Sequence, residues 1–156
     1  MKQAACLLPL CLLVLGGCAQ TVNTQPVWET QLPETGVELA VNNCTVLSDE
    51  PVYYATDRVD TEYWTEKAAV QTEGVPVITL QGIQPEQLEL RFVENIDWLY
   101  LYYDKVMPQP DLDYIQTELA DGSLQIRLDT VYNYEFIVTT PQGTDSLIVT
   151  CSRDDL

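Results

Sequence analysis

Surface chemistry needs side chains that move protons, attack carbon or phosphorus, or hold metals, and this 156-residue chain lacks the commonest of them, histidine. Without imidazole, the usual general base, the usual metal ligand and the Ser-His-Asp and Cys-His nucleophile arrangements are all missing. The glycines after residue 17 are Gly36, Gly74, Gly82, Gly122 and Gly143, spaced as neither GxGxxG nor GxxxxGK[ST], so no familiar phosphate cradle is present. Paired carboxylates remain, because glycoside hydrolysis holds two of them across a sugar. With 24 acidic residues such pairs arise by chance, and nothing in the pattern marks any two as desolvated. The sequence nominates no catalytic residue, and an enzyme is the least favoured reading. Asp111 and Asp113 in Pro-Asp-Leu-Asp, and Glu94, Asn95 and Asp97, carry oxygens of the kind calcium takes. Neither set has EF-hand spacing, and hydrated turns account for both, so no metal site and no cofactor is expected.

Aromatic side chains are the richer resource. Nine tyrosines accompany Trp64 and Trp98 between residues 53 and 134. A flat apolar ring with a polar tip stacks on sugar rings and anchors protein partners, although tyrosines are also ordinary strand residues on half-buried sheets. Adjacent aromatics on a strand point to opposite faces, so Tyr53-Tyr54 and Tyr63-Trp64 should each put one ring on the surface. Tyr53, Tyr54, Tyr63 and Trp64 are therefore the candidate ligand contacts.

At the amino terminus, residues 1–17 combine Lys2, an apolar run from about Ala4 to Leu15 and a pair of small residues. This is the order of a secretory signal, and the run falls short of the ~20 residues a membrane-spanning helix needs. Leu15-Gly16-Gly17-Cys18 resembles a bacterial lipobox, which implies cleavage before Cys18 and diacylglycerol on its sulfur. Residues 18–36, rich in Thr, Gln and Pro, read as a tether, and residues 37–156 as one domain with its own core. Cys6 and Cys11 leave with the signal, so only Cys44 and Cys151 remain in the domain. Two thiols in an exported domain invite a disulfide; two small buried apolar side chains are the alternative, and the sequence leaves both open.

All 24 acidic residues but only six of the seven basic ones follow residue 17, so the exported chain carries a formal charge of −18. Nucleic acid is a poor partner for such a surface, and so are anionic headgroups; contact with the membrane is expected through the lipid on Cys18.

The elements that must position these residues are strands. From Val37 on, apolar residues recur with period two between Gly, Pro, Asn and Asp. Val37 to Val46 opens the domain, Pro76 leads Val77 to Leu80, and Leu88, Leu90 and Phe92 alternate with polar residues. Trp98 to Tyr103 is apolar on both faces and is predicted as the central core strand. Tyr114–Ala120 and Ser123–Asp129 flank Asp121-Gly122 with the spacing of a tight hairpin, with Leu124, Ile126 and Leu128 inward. Tyr132, Tyr134, Phe136 and Val138 alternate next, before a turn at 140–144 leads into Leu147, Val149 and Cys151. Residues 60–70 fit a short helix or a strand.

Eight or nine such strands predict an antiparallel, Greek-key β-sandwich, with a small barrel as runner-up. The strand ending at Cys44, Tyr63-Trp64, the Pro76-led strand and the closing YEFIVTTPQGTDSLIVTC together resemble the Ig-like domains of small lipoproteins from Gram-positive gut bacteria. The resemblance implies an Ig-like sandwich outside the cytoplasm and transfers no functional residue. Cys44 and Cys151 sit at the ends of the domain, so the immunoglobulin disulfide is absent. The expected function is a non-catalytic, lipid-anchored surface module that binds an envelope glycan or protein. The alternative is an accessory subunit of an envelope assembly that makes its contact along a sheet edge.

Overall fold

The computed structural model describes residues 25–56, 64–96, 98–103, 106–129 and 132–152. Eleven strands among them form one continuous sheet. In chain order these are β1 (Trp28–Gln31), β2 (Glu38–Ser48), β3 (Val52–Ala55), β4 (Thr65–Lys67), β5 (Ala69–Leu80) and β6 (Leu88–Ile96). There follow β7 (Leu99–Tyr102), β8 (Tyr114–Glu118), β9 (Leu124–Leu128), β10 (Asn133–Thr140) and β11 (Gly143–Ser152). Their spatial order is β1-β2-β5-β11-β10-β6-β7-β3-β4, with β9 on β5 and β8 on β9. The domain is all-β, as the period-two pattern predicts.

β5 explains the shape. Its first half, from Ala69 to Glu73, runs parallel to β11, while its second half, from Val77 to Leu80, pairs antiparallel with β9. Between them Gly74 has φ +105°, a conformation that costs glycine little and other residues much. On the neighbouring strand Asn43 adopts φ +60° beside a register shift between Asn42 and Cys44. Bulges of this kind bend a strand and sharpen its twist, so β2 and β5 turn together. The main core records the result: Leu39, Val41, Ile78, Leu80 and Ile126 pack in one cluster with Phe92, Tyr134, Phe136, Val138, Leu147 and Val149. The sheet is thus doubled over on itself. At the other end it curls towards the opposite face, where Val52 and Tyr54 of β3 pack with Val93, Tyr100, Ala69 and Ile148.

Several expectations need correcting. The sheet is mixed, since β5–β11 and β3–β7 are parallel pairs. The ordered domain begins ahead of Val37: β1 pairs with β2 from Trp28 onward, and Leu32 and Thr35 are buried. The Asp145 carboxylate holds this entry segment, accepting bonds from the Glu34 and Thr35 backbone N–H groups and from Thr35 Oγ1, the last two at 2.7 Å. Of the two readings open for residues 60–70, the described part takes the strand, over 65–67 and from 69 into β5, and residues 60–63 lie outside the described residues. β7 is internal and buried on both sides, but the main core sits on β5, β9, β10 and β11, and β7 feeds two smaller clusters.

The Asp121-Gly122 hairpin forms where expected with a different turn. Gly122 N–H bonds Leu119 O and Leu119 N–H bonds Ser123 O, leaving three loop residues with only Gly122 at positive φ. Asp121 instead accepts from Ser123 N and Oγ at 2.9 and 2.6 Å, and these bonds hold its carboxyl below the usual range.

Candidate functional site

The two tyrosines of β3 do part company across the sheet. Tyr53 is 48% exposed, whereas Tyr54 is buried, its hydroxyl donating to Glu135 Oε2 at 3.0 Å. Lys67 Nζ lies 3.8 Å from the centre of the Tyr54 ring and pairs with Glu135 Oε1. Burial, followed by the Glu135 charge and hydrogen bond, pushes the Tyr54 phenol far above its ordinary range. Tyr54 is thus packed inside the sheet against Glu135 and Lys67. Tyr63 lies outside the described residues.

Trp64 is half-buried, and its ring meets Trp98 edge to face with centroids 4.7 Å apart. Trp98 meets Tyr53 in the same manner at 6.0 Å. Alternation predicts Trp98 inside a core strand, yet it is 56% exposed at the turn between β6 and β7. Trp64 Nε1 is buried with no hydrogen-bond partner. Under this trio Ala55, Leu99 and Leu101 form a small apolar cluster with Ile96.

Register extends the face. Residues opposite one another on paired strands share a side, so Glu94 and Ile96 of β6 lie on one face with Leu101 and Leu99 of β7, and with Ala55 and Tyr53 of β3. Phe92 shares that parity and accepts the Tyr103 N–H at its carbonyl. Tyr132 packs on the Phe92 ring at 4.5 Å. Tyr53, Trp98, Tyr103 and Tyr132 are the exposed aromatic residues among those described, and all four belong to this side of β3, β7 and β6. A period-two reading finds Tyr53 but misses the other three, because Trp98, Tyr103 and Tyr132 sit just beyond strand ends, where alternation no longer dictates burial.

Between Tyr103 and Tyr132 opens a cavity of about 370 Å³ lined by Phe92, Val93, Glu94, Asn95, Tyr103, Tyr132 and Asn133. A second, of about 410 Å³, lies over β1 and β2 and is polar and apolar in near-equal share, with Glu29, Gln31, Glu38 and Gln81 beside Leu39 and Ala40 on its walls. We take the aromatic cavity as the candidate site, because small-molecule sites are largely apolar with a few polar groups. Behind it the sheet is braced: Asn95 Nδ2 donates to Tyr100 Oη at 3.1 Å, and Arg91 bonds Glu89 at 2.6 Å while lying over the Tyr102 ring.

The other nominated residues do not converge here. Cys44 and Cys151 are free thiols on β2 and β11, the two neighbours of β5, opposite Gly74 and Thr72. Two strand spacings and the two-residue offset along β5 put their backbones about 12 Å apart, beyond the ~7 Å a disulfide tolerates, so they serve as partly buried apolar groups. Burial raises both thiols, Cys151 to about 12. The Asp111–Asp113 pair is turn chemistry, with Asp113 Oδ2 accepting from Gln109 N at 2.8 Å. No cluster of three or more metal-ligating side chains occurs among the described residues. Cys18 lies outside them.

Comparison of the chain with protein-family models, with curated proteins and with solved structures finds no match.

Proposed function

We propose that this protein is a non-catalytic binding module, held outside the cell membrane by a lipid on Cys18, that engages an envelope glycan through the aromatic side of β3, β7 and β6. The observation that carries the reading is the gathering of every exposed aromatic residue described onto that one side. Exposed rings cost stability to keep in water, and sugars offer the C–H faces that stack on them. The acidic surface points to a neutral or cationic ligand. In this reading the doubled-over sheet is an Ig-like sandwich that has acquired two parallel pairings. Catalysis is not part of it: Glu135, the fully buried carboxylate, is committed to Lys67 and Tyr54.

The test has two arms. Mass spectrometry of the membrane-extracted protein should find diacylglycerol on Cys18, and Cys18→Ser should release the chain into the medium. Binding of the mature chain to an array of neutral envelope glycans should fall at least tenfold in Trp98→Ala and stay unchanged in Tyr54→Phe. Loss of neither, or no binding at all, rejects the glycan assignment.

A second reading has its own observation. Leu112, in the turn before β8, and Ile115 on β8 are exposed, Leu112 at 71%, and β8 pairs among the described strands with β9 alone. An accessory subunit that docks a partner strand there would have this surface. Crosslinking in whole cells through Leu112, abolished by Leu112→Asp, would favour it.

A further inference from the structure

We infer that Trp64 and Trp98 form a subsite for an uncharged N-acetylated sugar, whose acetamido carbonyl accepts the Trp64 Nε1 hydrogen while its ring stacks on Trp98. This deepens the proposed function and rests on its assignment of this side as the glycan surface. Trp64 Nε1 is buried, and among the described residues it is the one buried side-chain donor or acceptor with no hydrogen-bond partner. The neighbourhood explains the gap. Trp64 packs on Ala55, Leu99 and Leu101 with Ile96 beside it, and none of these side chains carries a polar atom. Trp98 adds a ring at 4.7 Å whose only polar atom is another N–H donor. Trp28 shows the ordinary outcome, since its indole donates to Asp49 Oδ2 at 3.2 Å even at the surface. Buried donors without partners are rare and costly to keep, and this one is satisfied when an acceptor arrives from outside the chain.

The setting decides which acceptor. A hydroxyl brought against an apolar wall accepts the bond but carries a donor of its own that needs a partner there, whereas an amide carbonyl oxygen only accepts. A carboxylate accepts more strongly, but the exported chain carries a formal charge of −18 and repels anionic sugars. An uncharged acyl group meets both conditions. On a sugar this is the acetamido substituent, whose methyl also suits a wall of Ala55, Leu99 and Leu101.

Trp98 supplies both the platform and the way in. It is 56% exposed at the turn between β6 and β7, so much of its indole is open to the C–H face of a pyranose. Tyr53, itself exposed, stands at 88° to that ring with centroids 6.0 Å apart and walls one side of it. Because the Trp64 N–H is covered, the sugar reaches it by tilting Trp98, the exposed ring that rests on Trp64. The tilt gives up one edge-to-face contact and gains a hydrogen bond at a donor that had none.

Isothermal titration of the mature chain with triacetylchitotriose tests this, with cellotriose as the comparator of the same linkage and ring geometry that carries hydroxyls in place of the acetamido groups. The acetylated sugar should bind about tenfold more tightly, the worth of one hydrogen bond gained at an unpaired donor. In the isotope-labelled chain the Trp64 indole N–H resonance should move downfield as that sugar is added. Trp64→Phe keeps a ring and removes the N–H, so it should lower the acetylated sugar to the affinity of cellotriose and leave cellotriose unchanged. Should that variant fail to fold, the resonance in the wild-type chain reads the same bond. Equal affinity for the two sugars overturns the inference, as does a preference that survives Trp64→Phe, an unmoved indole resonance, or binding of neither sugar. Cellotriose bound as tightly as the acetylated sugar, with both lost in Trp98→Ala, would remove the acetamido contact and leave the glycan reading standing.

Discussion

Glu135 brings a charge into the middle of the sheet, 0% exposed, and meets Lys67 and Tyr54 there. Removing one partner of a buried pair strands the other, which typically costs more than the pair itself contributes. Lys67→Met should therefore destabilise the protein by about 3 kcal/mol, and adding Glu135→Gln should recover most of that loss. Urea titration of the two single variants and the double variant measures both. Cys151 makes a different prediction. Its thiol is raised from 9.0 to about 12 by burial, so between those values the folded chain keeps a proton that the unfolded chain has lost. Stability is then full below pH 9 and falls as pH rises towards 12, by roughly 1 kcal/mol per unit. Tyr54 and Tyr134, raised mainly by burial as well, steepen the loss above pH 10. Cys151→Ala should flatten the profile between pH 9 and 10, read as urea midpoints across that range. The same burial should keep Cys151 unreactive to iodoacetamide at pH 8 until the protein unfolds.

Among the elements, the bend in β5 is the most exposed to mutation. A Cβ at Gly74 would lie 3.6 to 3.7 Å from Cys44, which is ordinary contact, so the obstacle there is φ and not space. Gly74→Ala should cost about 1–2 kcal/mol by thermal unfolding. Gly122→Ala, also at positive φ but with open space around it, should cost about 1 kcal/mol. Hairpins are also where the sequence was most legible. Asp121-Gly122 and Pro141-Gln142 mark turns by local chemistry, and Leu124, Ile126, Leu128, Tyr134, Phe136 and Val138 are buried as their alternation implies. β1 was not legible, because Trp-Glu-Thr-Gln carries one apolar residue and becomes a strand only through its pairing with β2. The parallel contacts of β5 with β11 and of β3 with β7 join segments distant in sequence, and no local pattern announces them. Of the aromatic side of β3, β7 and β6, Tyr53 and Trp64 were readable from adjacency. Trp98, Tyr103 and Tyr132 depend on where strands end, which tertiary pairing decides.

At the scale of the molecule, entry segment and core form one unit. A chain beginning at Val37 lacks β1, buried Leu32 and the Thr35–Asp145 bonds. It should unfold at several kcal/mol less than one beginning at Gln25, since one buried Leu and one buried, hydrogen-bonded carboxylate each contribute about 1–3 kcal/mol. Differential scanning calorimetry of the two chains gives the comparison. Asp145→Ala in the full chain should reproduce part of the loss and speed amide exchange at Thr35.

β1 also sets a length. With β1 opening at Trp28, nine residues, 19–27, separate it from Cys18 and reach at most about 30 Å fully extended. A folded body of this size has a radius of gyration of about 14 Å and so a diameter of about 36 Å, longer than the leash that holds it. If Cys18 is anchored as proposed, the domain patrols a layer roughly as deep as itself just above the lipid. So tethered, it would meet what lies at its own membrane surface and not what lies farther out.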